Sequence, residues 1–289
     1  MFILENEDLR IRIVTKGAEM QSIYNKKNGL EYLWKGDPAI WGKHSPVLFP
    51  IVGTLKNDAY LFEGASYTLG RHGFARDRDF IPASQTGTAI TLRLLSSEAT
   101  LPVFPFSFGF DISYAIRKNK LTVTYSVSNR GDKLMFFSVG GHPAFKVPLE
   151  EKSRYEDYYL EFDKEENAGR WPISPKGLIE TSPLPMLDHT KILPVARELF
   201  SRDAIVFKHL QSSRVKLLSH TSGAGLEMDF TGFPYLGIWA AKQADFLCIE
   251  PWCGIADSTD SNQELTAKEG IVALKEGEVF ERSWSVELF

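Results

Sequence analysis

Apolar residues recur at every second position along much of the chain, and this period-two alternation limits the available folds more than any other feature. The clearest case lies between Phe110 and Asn129. There Phe110, Ile112, Tyr114 and Ile116 share one face, and Leu121, Val123, Tyr125 and Val127 share another beyond Arg117-Lys118-Asn119-Lys120. That pattern predicts a hairpin with one buried side. Similar short runs occur at Leu9–Val14, Tyr60–Phe62 with Tyr67–Leu69, Ile90–Leu94, Leu226–Phe230, Phe246–Ile249 and Val279–Leu288. Gly, Asn, Asp, Pro or Ser bounds each of them.

Helical signals are few. Asp37-Pro38-Ala39-Ile40-Trp41 carries an acidic N-cap and an N1 proline, and Val195–Phe200 offers another turn or two. Neither segment is long enough to cover a sheet, so the strands are expected to bury their apolar faces on one another. The expectation is an all-β fold, a large sandwich of antiparallel strands. Large all-β domains commonly exceed 200 residues, and no linker, repeat or change of composition divides the chain. A single domain over residues 1–289 is therefore expected. Lys164–His189, richer in Pro, Gly and charge, reads as a long surface excursion.

Charge excludes one class of partner. The net charge of −4 is spread along the chain with no block of like charges, so a nucleic-acid footprint is not expected. No apolar run approaches the roughly 18 residues that span a bilayer, and the N-terminus lacks the basic and apolar regions of a signal peptide. The two cysteines, Cys248 and Cys253, lie in one short segment and cannot staple distant parts of the chain. A cytoplasmic protein without a membrane partner is the expectation.

The usual catalytic cradles are missing: there is no G-x-S-x-G elbow, no GxxxxGK[ST] loop and no GxGxxG turn. With four residues between the cysteines and no close histidine in sequence, a structural zinc site is not expected either. Histidines and carboxylates remain. His189, His209 and His220 stand in polar surroundings and read as surface residues, whereas His44 occupies an uninformative loop. His72 is different, because it lies between Arg71 and Arg76 and beside Gly73, which lets the backbone pass close to a neighbour. His142 follows Gly140-Gly141 and precedes Pro143, a context that fixes it in an extended segment. The plain alternative for each is a turn histidine satisfied by backbone. Glu250 ends an apolar run next to Trp252, where desolvation would raise its pKa and strengthen it as a base. The alternative is a solvated strand-end glutamate.

Four segments together carry a resemblance. Pro46-Val47-Leu48-Phe49-Pro50-Ile51-Val52-Gly53, His72-Gly73-Phe74-Ala75-Arg76, Gly140-Gly141-His142-Pro143-Ala144-Phe145 and Leu247-Cys248-Ile249-Glu250-Pro251-Trp252 resemble, in order, the aldose 1-epimerase (galactose mutarotase) superfamily and within it the LacX-like branch. The similarity implies a β-sandwich of the galactose-mutarotase type with a small-molecule sugar bound in an open cleft. It places His72 and His142 on the family's active-site histidines, Glu250 on its catalytic glutamate and Asp203 on its sugar-binding aspartate. The family's substrate-binding arginine falls where this chain has Thr54, and Arg76 is the candidate replacement. No metal and no cofactor is implied. Phe49, Phe74, Trp239 and Trp252 are candidates for a platform under the sugar ring.

Ring opening explains these residue types. A base takes the proton of the anomeric hydroxyl, an acid protonates the ring oxygen, and rotation about C1–C2 lets the ring close on either face. Glu250 as base and His142 as acid, supported by His72, would interconvert α and β anomers of an aldohexose. A hexose-6-phosphate mutarotase and a non-catalytic carbohydrate-binding protein are the alternatives. Arg71, Arg76 and Arg78 favour a phosphate, whereas Asp77 and Asp79, which alternate with Arg76 and Arg78 and take the opposite face of an extended segment, favour a neutral sugar.

Overall fold

The computed structural model describes residues 1–289. A nine-stranded antiparallel sheet runs in the order Leu184–Pro194, Tyr158–Arg170, Arg214–Ser219, Leu226–Asp229, Val279–Leu288, Lys120–Asn129, Phe108–Arg117, Ala89–Leu95 and Ile81–Gln85. Its centre is the expected hairpin. Phe110 pairs with Val127, Ile112 with Tyr125, Tyr114 with Val123 and Ile116 with Leu121, and all eight side chains are buried. Burying each large apolar side chain contributes about 1.5–3 kcal/mol, so a register slip of one residue would expose the whole set.

A six-stranded sheet lies across from it, ordered Ile205–Lys208, Tyr235–Trp239, Phe246–Cys253, Val139–Gly141 and Val47–Leu48, with Ala144–Lys146 also paired to Phe246–Cys253. Aromatic contacts join the layers. The Phe162 ring lies 6.1 Å from that of Phe207, and the Phe137 ring, just before Val139–Gly141, lies 5.5 Å from that of Phe280. Every residue of Phe246–Cys253 is buried, because one face meets the main core and the other is roofed by loops. A four-stranded sheet of Phe2–Glu5, Leu9–Ile13, Met20–Asn25 and Leu30–Glu31 completes the large elements. No helix is long and apolar enough to cross a membrane.

Three local expectations need correction. Asp37–Trp41 forms a single turn, with Ile40 and Trp41 amides donating to the Asp37 carbonyl and the Asp37 side chain accepting from Ala39 at 3.0 Å. Of Val195–Phe200, only Arg197–Phe200 is a 3-10 turn.

Lys164–His189 is not one surface excursion. Its start prolongs the strand Tyr158–Arg170, and its end belongs to Leu184–Pro194. Register shifts after Glu161, Glu166 and Ala168 break the alternation, which is why the sequence conceals these strands. Glu166 shows the cause: its buried carboxylate accepts the Gln211 and Ser212 amides at 3.2 and 2.6 Å. The intervening segment folds inward, with Trp171 donating to the Val206 carbonyl and Ile179 to that of Asp257.

Candidate active site

The strand period assembles the site floor. Along Phe246–Cys253 alternate residues share a face, so Cys248, Glu250 and Trp252 point the same way, opposite to Ile249. On Tyr235–Trp239, Gly237 pairs with Glu250 and Trp239 with Cys248. A Cβ at Gly237 would come within 2.5 Å of the Trp252 ring, and one at Gly140 within 2.7 Å. Two glycines thus make the slot in which the indole lies flat. Beyond Gly140-Gly141 the chain carries His142 over the same face, its amide bonded to the Pro46 carbonyl.

The resulting cleft has a volume of about 470 Å³, within the roughly 300–1,000 Å³ usual for small-molecule sites. His72, His142 and Glu250 reach it, as do Arg71, Arg76 and Asp203, while Trp41, Trp239 and Trp252 supply aromatic surface. Nine buried residues, including Val52, Ile179, Val206 and Ile255, form a small second core behind its wall.

His142 Nε2 stands 3.3 Å from Glu250 Oε1. The carboxylate is 1% exposed and the imidazole 8%, so neither has bulk water to stabilise a charge. Burial pushes the Glu250 pKa well above the ordinary value; Arg71 opposes this and Asp203 adds to it. Burial pulls His142 down to about 3, with its own backbone opposing and Arg71 and Arg76 assisting. Burial therefore favours a neutral pair that shares one proton. This reverses the order of the isolated reference values, which contain no desolvation. Glu250 Oε2, His142 Nδ1 and Trp252 Nε1 have no partner within the protein. These three polar atoms belong to cleft-lining residues, where a polyhydroxylated ligand is the natural partner.

The position of His142 depends on aromatic packing. Trp41 stacks on it at 5.1 Å and 27°, and Trp239 meets it edge-on at 5.6 Å. Trp41 comes from the Asp37 turn, and nothing in its local sequence marks it as a site residue. The imidazole of His72 is 5.8 Å from that of His142, nearly perpendicular to it. His72 is in the left-handed region, at φ 69°, a conformation costing about 1–3 kcal/mol. What holds it there is reciprocal: its amide donates to the Gly53 carbonyl, and the Gly53 amide donates to His72 Nδ1 at 3.1 Å. Because Nδ1 accepts, the neutral ring carries its hydrogen on Nε2. Burial, then His142, Arg71 and Arg76, hold its pKa well below the ordinary value, so His72 is a hydrogen-bond donor and not a proton reservoir. Gly73 makes the close approach expected of it, with the site of a Cβ only 2.4 Å from the Phe49 carbonyl oxygen.

Other candidates fall elsewhere or take different parts. Phe74 and Phe49 do not line the cleft; they pack with Phe104 and Phe108 in the core behind it. Arg76 lines the cleft, yet its Nη2 donates to the Arg71 carbonyl at 2.8 Å. Ala75–Asp77 is a 3-10 turn, so the strand-like facing expected for Arg76 to Asp79 does not occur; Asp77 reaches Lys43 at 3.3 Å instead. Thr54 packs under Gly177. Arg71, unassigned a role by the sequence beyond its charge, is the residue that places a guanidinium in the cleft and pairs with Asp203 at 3.4 Å. The fold also supplies what local spacing lacked, a histidine beside a cysteine: His142, Cys248 and Glu250 each offer a donor atom within 4.8 Å of the others.

The fold agrees with the comparisons. The aldose 1-epimerase family model matches residues 1–271, and the chain belongs to that family. It is 33% identical to the plasmid-borne protein LacX of Lactococcus lactis subsp. lactis, over 99% of this chain and 98% of that one. A galactose mutarotase related enzyme from Lactobacillus acidophilus superposes with a TM-score of 0.95 at 35% identity, covering 100% of this chain and 97% of its own. A galactose mutarotase-like protein from Lactobacillus casei ATCC 334 gives 0.92 at 30%, with both chains fully covered. The fold is thus the galactose-mutarotase type of antiparallel sandwich.

Proposed function

We propose that this protein is a mutarotase that interconverts the α and β anomers of a neutral aldohexose by acid–base ring opening and closing. The observation that carries the reading is the buried contact of 3.3 Å between His142 Nε2 and Glu250 Oε1 in a cleft walled by three tryptophans. A sugar-binding protein has no use for a desolvated proton-sharing pair, whose burial costs folding energy. The pair's one proton can sit on either partner. On His142 it leaves a Glu250 carboxylate to accept the anomeric proton while the imidazolium protonates the ring oxygen; after opening, the proton has crossed to Glu250, and closing reverses the step. His72 Nε2–H holds the developing oxygen charge.

The pKa directions give a pH profile. The pair works while it holds one proton, so activity should persist below the ordinary glutamate range and fail on the acid side only as His142 takes a second proton near about 3. It should fall on the alkaline side once the pair loses its proton through the raised Glu250 value. Rates measured from pH 3.5 to 10 with chelator, and folding followed by circular dichroism, check this. An acid limb centred between pH 4 and 5 in folded protein, the mark of an unshifted carboxylate at about 4.3, would contradict it.

Substrate charge follows from the pairing of the cations. Asp203 faces Arg71, and Arg76 commits a donor to backbone, so a phosphate would meet a carboxylate along with the guanidiniums. The hexose-phosphate alternative draws on Arg170 and Arg202, which line an adjoining groove. For wild type, kcat/KM should be higher for glucose or galactose than for the 6-phosphates. Arg76→Ala should lower it about tenfold, roughly 1.4 kcal/mol, by freeing the Arg71 loop, and it should do so equally for neutral and phosphorylated sugars. A tenfold wild-type preference for phosphate that vanishes in Arg76→Ala would establish the alternative.

A further inference from the structure

We propose that His142, Cys248 and Glu250 form a binding site for a thiophilic divalent cation of the zinc class, and that its occupancy switches the acid–base pair off. The switching half rests on the mutarotase reading, whereas the binding half stands on geometry. Cys248 has no part in proton transfer to a sugar, yet the strand alternation puts it on the face that carries Glu250, one pleat away, and its register partner on the neighbouring strand is Ala144, two residues beyond His142. One donor atom from each residue lies within 4.8 Å of the other two, and all three residues are buried. Donors bonded to a single zinc ion at about 2.0–2.3 Å lie less than twice that far apart, so small side-chain rotations close the set.

A second observation points the same way. Glu250 Oε2 is buried without a partner, which leaves a lone pair that a cation satisfies better than a neutral protein group does. Cys248 is a free thiol, and Cys253 projects to the opposite face of the strand, so the thiol is not consumed in a disulfide. Thiolate, imidazole and carboxylate is a donor set that zinc accepts, with the fourth position open to the cleft. On binding, the thiol proton and the proton shared by His142 and Glu250 leave to solvent, and the cation takes the lone pairs that the reaction needs.

The test uses Co²⁺ as a spectroscopic probe and Zn²⁺ as the ligand, on wild type, Cys248→Ser and Cys248→Ala. Wild type should show a thiolate-to-cobalt charge-transfer band in the near ultraviolet that both variants lack. Zinc affinity by calorimetry should fall at least tenfold in each variant. Chelated variants should keep wild-type turnover, and micromolar Zn²⁺ should inhibit wild type far more than the variants. No band in wild type, or unchanged zinc affinity in both folded variants, would overturn the site. If the band and the affinity loss appear in a protein with no epimerase activity, the metal site stands and the mutarotase reading falls.

Discussion

Glu250→Gln is expected to lower the turnover number for anomer interconversion by about 10²–10⁴-fold, the usual contribution of a positioned acid or base, with sugar affinity changed severalfold at most. The amide matches the carboxylate in shape and fits the slot beside Trp252, but it cannot take a proton. Stability should not suffer, because burial already disfavours the charged carboxylate, and a neutral isostere removes that cost. Polarimetric rates and calorimetric sugar binding on the same preparation separate the effects. Near-normal turnover by folded Glu250→Gln would remove Glu250 from the chemistry.

His142→Asn should be as damaging, again by about 10²–10⁴-fold and again in turnover. Asparagine keeps a donor and an acceptor but no titratable group, and it loses the stack on Trp41. The comparison with His72→Asn is informative. His72 is locked by Gly53 as a neutral donor, so its loss should raise KM as much as it lowers turnover and should cost less overall. If His72→Asn proved the more damaging in turnover, the two histidines would have exchanged parts; if both variants kept full activity, neither would belong to the mechanism.

Some of this architecture is legible in the sequence because it depends on local periodicity. Phe110 to Val127 states its register in plain alternation, and Tyr60–Phe62 announces its partner across a turn. In the structure that turn narrows to Glu63-Gly64, both with positive φ, the backbone of a tight two-residue hairpin. The bulged strand Tyr158–Arg170 is illegible for the opposite reason, since each register shift resets the alternation and a buried acid, Glu166, sits where an apolar residue is expected. For the site, motifs mark His72, His142 and Glu250, and the fold brings them with Arg76, Asp203 and Trp252 to one cleft. Trp41 escapes notice and Arg71 is legible only as a charge, because their place depends on long-range packing: one rides on a turn against His142, and the other answers an aspartate 132 positions away. Phe74 misleads because it stands two positions from both His72 and Arg76 in sequence while its ring turns into the core. The pKa inversion between His142 and Glu250 is likewise invisible without burial.

The most direct test of the account is polarimetry of freshly dissolved α-galactose and α-glucose with and without chelated wild-type protein. The account predicts a first-order approach to the anomeric equilibrium whose rate rises in proportion to protein concentration and returns to the spontaneous rate with Glu250→Gln. A rate equal to the spontaneous one for free and phosphorylated sugars alike, from folded protein that binds them, would contradict it and leave a carbohydrate-binding protein in place of an enzyme.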